Sequence, residues 1–159
     1  MKDRGQRGFS LIELLASAMI LGLLATVAVP FVETAVRREK ERDLRIALRD
    51  LRQGIDAYKA ASEDGRIALA QGQSGYPPTL AELTAGVTNA QNPTGPKLYF
   101  LRRIPRDPFA ADLTVPAADT WRLRSFASSA AQPRPGDDVY DVTSNSTLTG
   151  LNGVRYDEW

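Results

Sequence analysis

The chain has 159 residues, with 20 basic and 19 acidic side chains and a formal charge of +1. That length is one domain's worth, and that balance gives no footing for a dedicated nucleic-acid binder. Histidine and cysteine are both absent, which removes Ser-His-Asp and Cys-His nucleophiles, His-ligated metals, disulfides and zinc ribbons.

In chain order, the first predicted element is a membrane span. Residues 14–32, LLASAMILGLLATVAVPFV, carry no charge. About 20 mostly apolar residues are enough for a helix to cross the hydrocarbon core. Lys2, Arg4 and Arg7 precede the run, opposed only by Asp3. A basic short flank is held in the cytoplasm, so everything past residue 33 is expected on the far side of the membrane. A secretory signal has an apolar stretch of about 7–15 residues followed by a small-residue cleavage site. Here the run is longer, and Ala16-Ser17-Ala18 falls inside it. A plain uncleaved signal anchor accounts for the run and its flank, but not for Glu13. An acid within a spanning segment is expensive and normally has a partner or a function.

The residues around that acid, Arg7-Gly8-Phe9-Ser10-Leu11-Ile12-Glu13-Leu14, resemble the prepilin signature. It is a short basic leader ending in Gly, then Phe, with Glu as the fifth residue after the Gly. The signature belongs to type IV pilins and to the pseudopilins of type II secretion systems. The resemblance implies that a membrane aspartyl peptidase cuts between Gly8 and Phe9 and that the new N-terminus at Phe9 is methylated. Gly8 suits such a site because it lacks a Cβ and takes extended geometry easily. The α-amine created at Phe9 is the natural partner for Glu13 of a neighbouring subunit. A charge pair in low dielectric is strongly coupled. Breaking one leaves an uncompensated charge, at a cost of about 3–5 kcal/mol. Glu13 would then set the axial register of an incoming subunit.

The helix is predicted to continue past the membrane over residues 33–62, which contain no proline. Leu44, Leu48, Leu51, Ile55 and Tyr58 recur at alternating +4 and +3 spacings, an apolar stripe of helical period. Glu41 and Arg45 form an i,i+4 pair in the favourable order. A continuous helix from Phe9 to Ser62 would be about 80 Å long at 1.5 Å per residue. Pro30, which lacks an amide proton, is expected to kink or locally open it. Gly22 weakens it or permits close helix contact. Basic side chains outnumber acidic ones between Arg37 and Arg52, as on a solvated, membrane-proximal face or in salt bridges between subunits.

Residues 63–159 form the predicted head. Gly65, Gly72 and Gly75 lead to Tyr76-Pro77-Pro78, and Thr79-Leu80-Ala81-Glu82 reads as a capping box. A short helix is expected to follow and to stop at Gly86, with Leu80 and Leu83 turned inward. Lys97–Ile104 fits either a strand or a short helical turn, and Pro105-Arg106-Asp107-Pro108 breaks it. Thr120–Ala127 and Asp138–Ser144 are the better strand candidates. They are expected to pair antiparallel across the loop 128–137 and to pack on the apolar stripe. The fold class is therefore α+β: a long N-terminal helix, transmembrane in its first half, against a small antiparallel sheet.

Tyr76-Pro77-Pro78-Thr79-Leu80, the stretch Leu101 to Phe109 with its Ile104-Pro105-Arg106-Asp107-Pro108, Trp121, and the ending Tyr156-Asp157-Glu158-Trp159 resemble the G-type major pseudopilin of type II secretion. The absence of cysteine points the same way, because many true type IV pilins close this region with a disulfide. The resemblance implies a calcium ion in the C-terminal loop, held by carboxylates and main-chain carbonyls. Calcium takes six to eight oxygens. Asp137, Asp138, Asp141 and Asp157 are the candidate ligands, joined by Glu158, Ser144, Asn145 and Ser146. Residues 147–156, TLTGLNGVRY, contain no acid, which departs from the family pattern. Asp137-Asp138 also reads as a turn pair, and Asp157-Glu158 as a solvated terminus. Trp121 and Trp159 read as core residues.

The expected organisation is a cleaved leader at 1–8, a transmembrane and filament-core helix at 9–32, its periplasmic continuation at 33–62, and a head at 63–159. The resemblance implies a non-enzymatic subunit of a helical periplasmic filament, anchored in the bacterial inner membrane with its N-terminus cytoplasmic, that drives substrate export across the outer membrane. The partners it implies are further copies of the chain, minor pseudopilins, the prepilin peptidase, membrane lipid, and an inner-membrane platform with its ATPase. A minor pseudopilin or a type IV pilus subunit is the near alternative. A signal-anchored periplasmic binding module or enzyme is the distant one, and it requires a pocket with convergent polar groups.

Overall fold

The computed structural model describes residues 10–159, the side chains of Val27 and Ala28 excepted. Helix α1 spans Leu11–Glu63 and contains Pro30. The short helix α2 covers Glu82–Ala85, strand β1 Trp121–Arg124 and strand β2 Asp141–Ser144. Single 3-10 turns lie at Ala117–Thr120 and Tyr156–Glu158. The chain forms two compact units, one ending at Glu39 and one comprising Lys40–Trp159.

In the first unit, helical assignment is unbroken across Pro30. The proline ring removes the amide that would otherwise reach the Thr26 carbonyl. Hydroxyls in this stretch turn back onto their own helix. Ser17 donates to the Glu13 carbonyl at 2.8 Å, Thr26 to Leu23 at 2.7 Å and Thr34 to Pro30 at 2.8 Å. Polar groups satisfied within the helix are the kind that hydrocarbon tolerates.

The second unit is organised by the predicted stripe. Leu44, Leu48, Leu51, Ile55 and Tyr58 are all buried, joined by Ala47 and Ala61 from the same helix. Leu80, Leu83, Trp121, Val139, Val142 and Tyr156 close over them as one cluster. The strands pair antiparallel, with Trp121 opposite Ser144 and Leu123 opposite Val142. They are shorter than the sequence pattern predicts. Thr120 belongs to the preceding 3-10 turn, and Ser125 donates its amide to Arg134 of the connecting loop instead of to the sheet. At the start of the other strand, Val139 donates to the Pro77 carbonyl at 2.8 Å.

The capping box is corrected. The N-cap of α2 is Ala81, with no side-chain cap bond. Backbone turns satisfy the first amides instead: Glu82 donates to Thr79, Leu83 to Leu80 and Thr84 to Ala81. The helix does stop at Gly86, whose φ of 81° favours glycine. A Cβ there would lie 2.6 Å from the Tyr99 ring. Residues 97–104 resolve into neither a strand nor a helical turn. Leu98 exchanges both backbone bonds with Val87 as an isolated bridge, and Phe100 and Leu101 both donate to the Leu83 carbonyl.

Leu51 is fully buried in the central cluster, whereas Ile46 on the same helix is exposed. Leu51→Ala is expected to destabilise the head by about 2–5 kcal/mol, and Ile46→Ala by under about 1 kcal/mol. Urea unfolding of the detergent-solubilised chain, followed by the fluorescence of Trp121 and Trp159, measures both.

Candidate functional site

Two sets of residues are candidates, one in each unit. In the first, α1 is the helix long and apolar enough to cross a membrane among the described residues. Large apolar side chains point outward all round it: Leu11, Ile12, Leu15, Met19, Leu23 and Phe31 are all exposed. Glu13 stands in its first turn and is exposed among them. Gly22 has nothing within 4 Å of a Cβ position, so its face is open to close approach. Gly8 and Phe9, the predicted cleavage and methylation positions, lie outside the described residues.

In the second unit, Ile104-Pro105-Arg106-Asp107-Pro108 forms a knot of side-chain-to-backbone bonds. The Pro105 carbonyl accepts the Trp121 indole N–H at 2.9 Å. The Arg106 guanidinium donates to the carbonyls of Asp112 and Leu113, both at 3.0 Å, and to that of Val115. Asp107 is buried and accepts from the Ser144 hydroxyl at 2.6 Å and the Phe109 amide at 2.8 Å. Its own amide donates to the Thr120 hydroxyl at 3.2 Å. A buried carboxylate is tolerable only when hydrogen-bonded in this way. No buried side-chain nitrogen or oxygen among the described residues lacks a partner.

The C-terminal segment closes onto α1 through Glu41 and Arg52. Glu41 is 3% exposed. One of its oxygens accepts the Leu151 amide at 2.7 Å and the Tyr156 hydroxyl at 2.9 Å. The predicted Glu41–Arg45 pair is present at 3.4 Å, with Arg45 half exposed. Arg45 also lies 4.4 Å over the Trp159 ring. Sequence reasoning assigned Glu41 only the local pair. The signal for its larger role was spacing: Glu41 precedes Leu44 by three residues, so it continues the buried stripe. Arg52 donates to the Asp141 carboxylate at 2.9 Å, the Val142 carbonyl at 3.1 Å and a main-chain oxygen of Trp159 at 2.7 Å. Trp121 is core as predicted, whereas Trp159 is only partly buried, packed edge-on against Tyr156 at 5.0 Å.

The four carboxylates named for calcium do not come together. Asp137 is exposed. Asp138 accepts from the Ser74 hydroxyl and from the Phe126 amide at 2.8 Å. Asp141 is paired with Arg52 and, at 3.3 Å, with Arg124. Asp157 is bridged by Arg155 at 2.8 Å and Arg122 at 3.4 Å. Hydrogen bonding from Arg155, reinforced by the charges of Arg155 and Arg122, holds the Asp157 carboxyl below the usual aspartate range. No group of three acids suited to a metal occurs among the described residues. A calcium shell needs several free oxygens, and here guanidinium groups engage Asp141 and Asp157 while Ser74 and Phe126 engage Asp138. The donor set does not fit the ion.

A concavity between residues 72–74 and 125–136 is floored by Tyr76 and Phe126, whose rings stack at 5.5 Å. It opens to solvent. Asp138 lines it and is engaged by Ser74 and Phe126; Glu82, Arg134 and Asp137 line it as well.

The prokaryotic N-terminal methylation motif matches residues 3–29. A type II secretion system core protein G of Klebsiella michiganensis is 27% identical over 94% of this chain and 99% of its own length. Its counterpart in Dickeya chrysanthemi is 32% identical over 69% of this chain and 67% of its own. That of Vibrio cholerae is 32% identical over 70% of each. No solved structure matches. With the methylation motif running from residue 3 through the apolar part of α1 to residue 29 and these relatives aligned through its head, the chain belongs to the family of type II secretion system core protein G and is a pseudopilin.

Proposed function

We propose that this chain is the repeating structural subunit of a periplasmic pseudopilus. It is inserted in the inner membrane by α1, with residues 1–8 cytoplasmic and the head in the periplasm. A prepilin peptidase removes residues 1–8, and Phe9 becomes the methylated N-terminus. The observation that carries this reading is an acid in an otherwise apolar span: Glu13, five residues after Gly8, inside the stretch that matches the methylation motif. The apolar surface of α1 supports it, because such a surface is stable in lipid or against other copies of itself and not in water. Gly22 supports it too, since open space there admits a neighbouring helix.

The subunit itself makes and breaks no covalent bond in this reading. Its chemistry is one charge pair. The Phe9 amine of the last subunit in the filament meets Glu13 of the incoming one, and a mismatch of register leaves both charges unpaired in low dielectric. Pro30 supplies a point where the helix loses a backbone bond and can loosen during packing. A cytoplasmic ATPase acting through an inner-membrane platform would extract each subunit, minor pseudopilins would begin the filament, and its growth would push cargo outward.

N-terminal sequencing of the chain co-expressed with a prepilin peptidase is expected to begin at Phe9, and without the peptidase at Met1. A mature protein that still begins at Met1 and forms filaments would overturn the reading. Glu13→Ala is expected to insert in the membrane normally but to weaken subunit addition by a few hundred-fold or more, from about 3–5 kcal/mol for an unpaired charge. Electron microscopy of sheared cells reads the filament yield, and membrane fractionation reads insertion. Wild-type filament yield from Glu13→Ala would remove the charge pair from the mechanism.

A further inference from the structure

Three oxygens, two from adjacent residues of β2 and one from Trp159, converge on Arg52. They are a carboxylate oxygen of Asp141 and the main-chain oxygens of Val142 and Trp159. A carboxylate together with main-chain oxygens is the donor set that a hard cation such as calcium selects. Here it surrounds a guanidinium, which is permanently charged and donates only. Further positive charge stands on the same side: Arg124 pairs with the other Asp141 oxygen, and Arg122 and Arg155 with Asp157. A calcium ion entering this region would have to displace Arg52 and then sit among like charges. The loop 147–156 offers it no carboxylate. Instead, that loop is held by an acid reaching in from the helix, because Glu41 accepts the Leu151 amide and the Tyr156 hydroxyl.

We infer that residues 148–159 are clamped to α1 by Arg52 and Glu41, an internal cation and an internal anion, in place of the calcium ion that the family resemblance implies. The two side chains act on one segment from two helical turns. Glu41 and Arg52 are eleven residues apart, about three turns, so one element presents both charges in fixed relation. Closure of the segment is thereby part of folding of Lys40–Trp159 and independent of metal supply. The inference concerns this unit alone and stands whether or not the chain forms filaments.

The test uses the full chain purified in detergent and treated with EGTA. Its Tm is expected to change by less than about 1 °C when millimolar CaCl2 is added, and hydrogen exchange at the Leu151 amide is expected to be equally slow in EGTA and in calcium. Arg52→Met keeps the apolar stem and removes the donors. It is expected to lower Tm by about 5 °C or more and to open residues 148–159 to limited proteolysis, with no recovery on adding calcium. A calcium-dependent rise of several degrees in the wild-type Tm, or Leu151 exchange that speeds up in EGTA, would overturn the inference. Because the wild-type measurements need no variant, a misfolded Arg52→Met does not blunt the test.

Discussion

The constraint on which the rest depends is that α1 meets two kinds of surroundings with one unbroken backbone. Over its first half, apolar side chains project in every direction, and the hydroxyls of Ser17, Thr26 and Thr34 are bonded to carbonyls of the same helix. From Glu41 onward the pattern narrows to one stripe, and the buried apolar side chains of the head form one cluster with it. The change is from a surface suited to lipid or to other apolar helices to one suited to half-burial beneath a sheet. No break in helical assignment marks it. The change is made by residue type alone, through the charged stretch that begins at Arg37.

Little of the head is regular structure, since two strands of four residues and a four-residue helix cannot hold it by ladders. Side chains bonded to backbone groups replace them. Asp107 fastens the end of β2 to the turn before β1 through Ser144 and Thr120, and the indole of Trp121 fastens β1 to Pro105. Arg106 gathers the loop at 112–115. The Ile-Pro-x-Asp-Pro element therefore has a physical content beyond breaking a strand. The prolines stop regular pairing, and the residues between and beside them supply the bonds that regular pairing would have given.

How much was legible in the sequence follows from the range of each interaction. The stripe from Leu44 to Tyr58 and the pairing of residues 121–124 with 141–144 rest on local periodicity, which a sequence displays. The spacing from Gly8 to Glu13 is equally local, and the family match covers it. The capping box failed because four residues of helix can begin in overlapping backbone turns, so the Thr79 and Glu82 side chains were not needed. What the calcium candidates meet was illegible for a different reason. Asp141 looks available in sequence, but its partner Arg52 is 89 residues away; Asp157 has Arg155 beside it, and its second partner Arg122 is 35 residues away. Glu41 lay between these cases. Its spacing from Leu44 was visible, yet a carboxylate is ordinarily assigned to the wet face of a helix, and the donors it meets there, the Tyr156 hydroxyl and the Leu151 amide, are 115 and 110 residues away.

The exposed half of α1 also limits where the subunit can exist. About a dozen large apolar side chains between Leu11 and Val36 face outward. At about 1.5–3 kcal/mol for each side chain left in water, their exposure would cost roughly 20–35 kcal/mol. That cost is relative to an apolar environment, so a water-exposed single copy is strongly disfavoured wherever a bilayer or a packed apolar surface is present. Two environments can receive this surface: the bilayer, or the packed helices of other copies. In hydrocarbon, an unpartnered Glu13 is the liability; among copies with their leaders removed, an amine is at hand to neutralise it. In the proposed function, the same acid that makes the span costly in lipid favours the packed state, and removal of residues 1–8 would make that preference available.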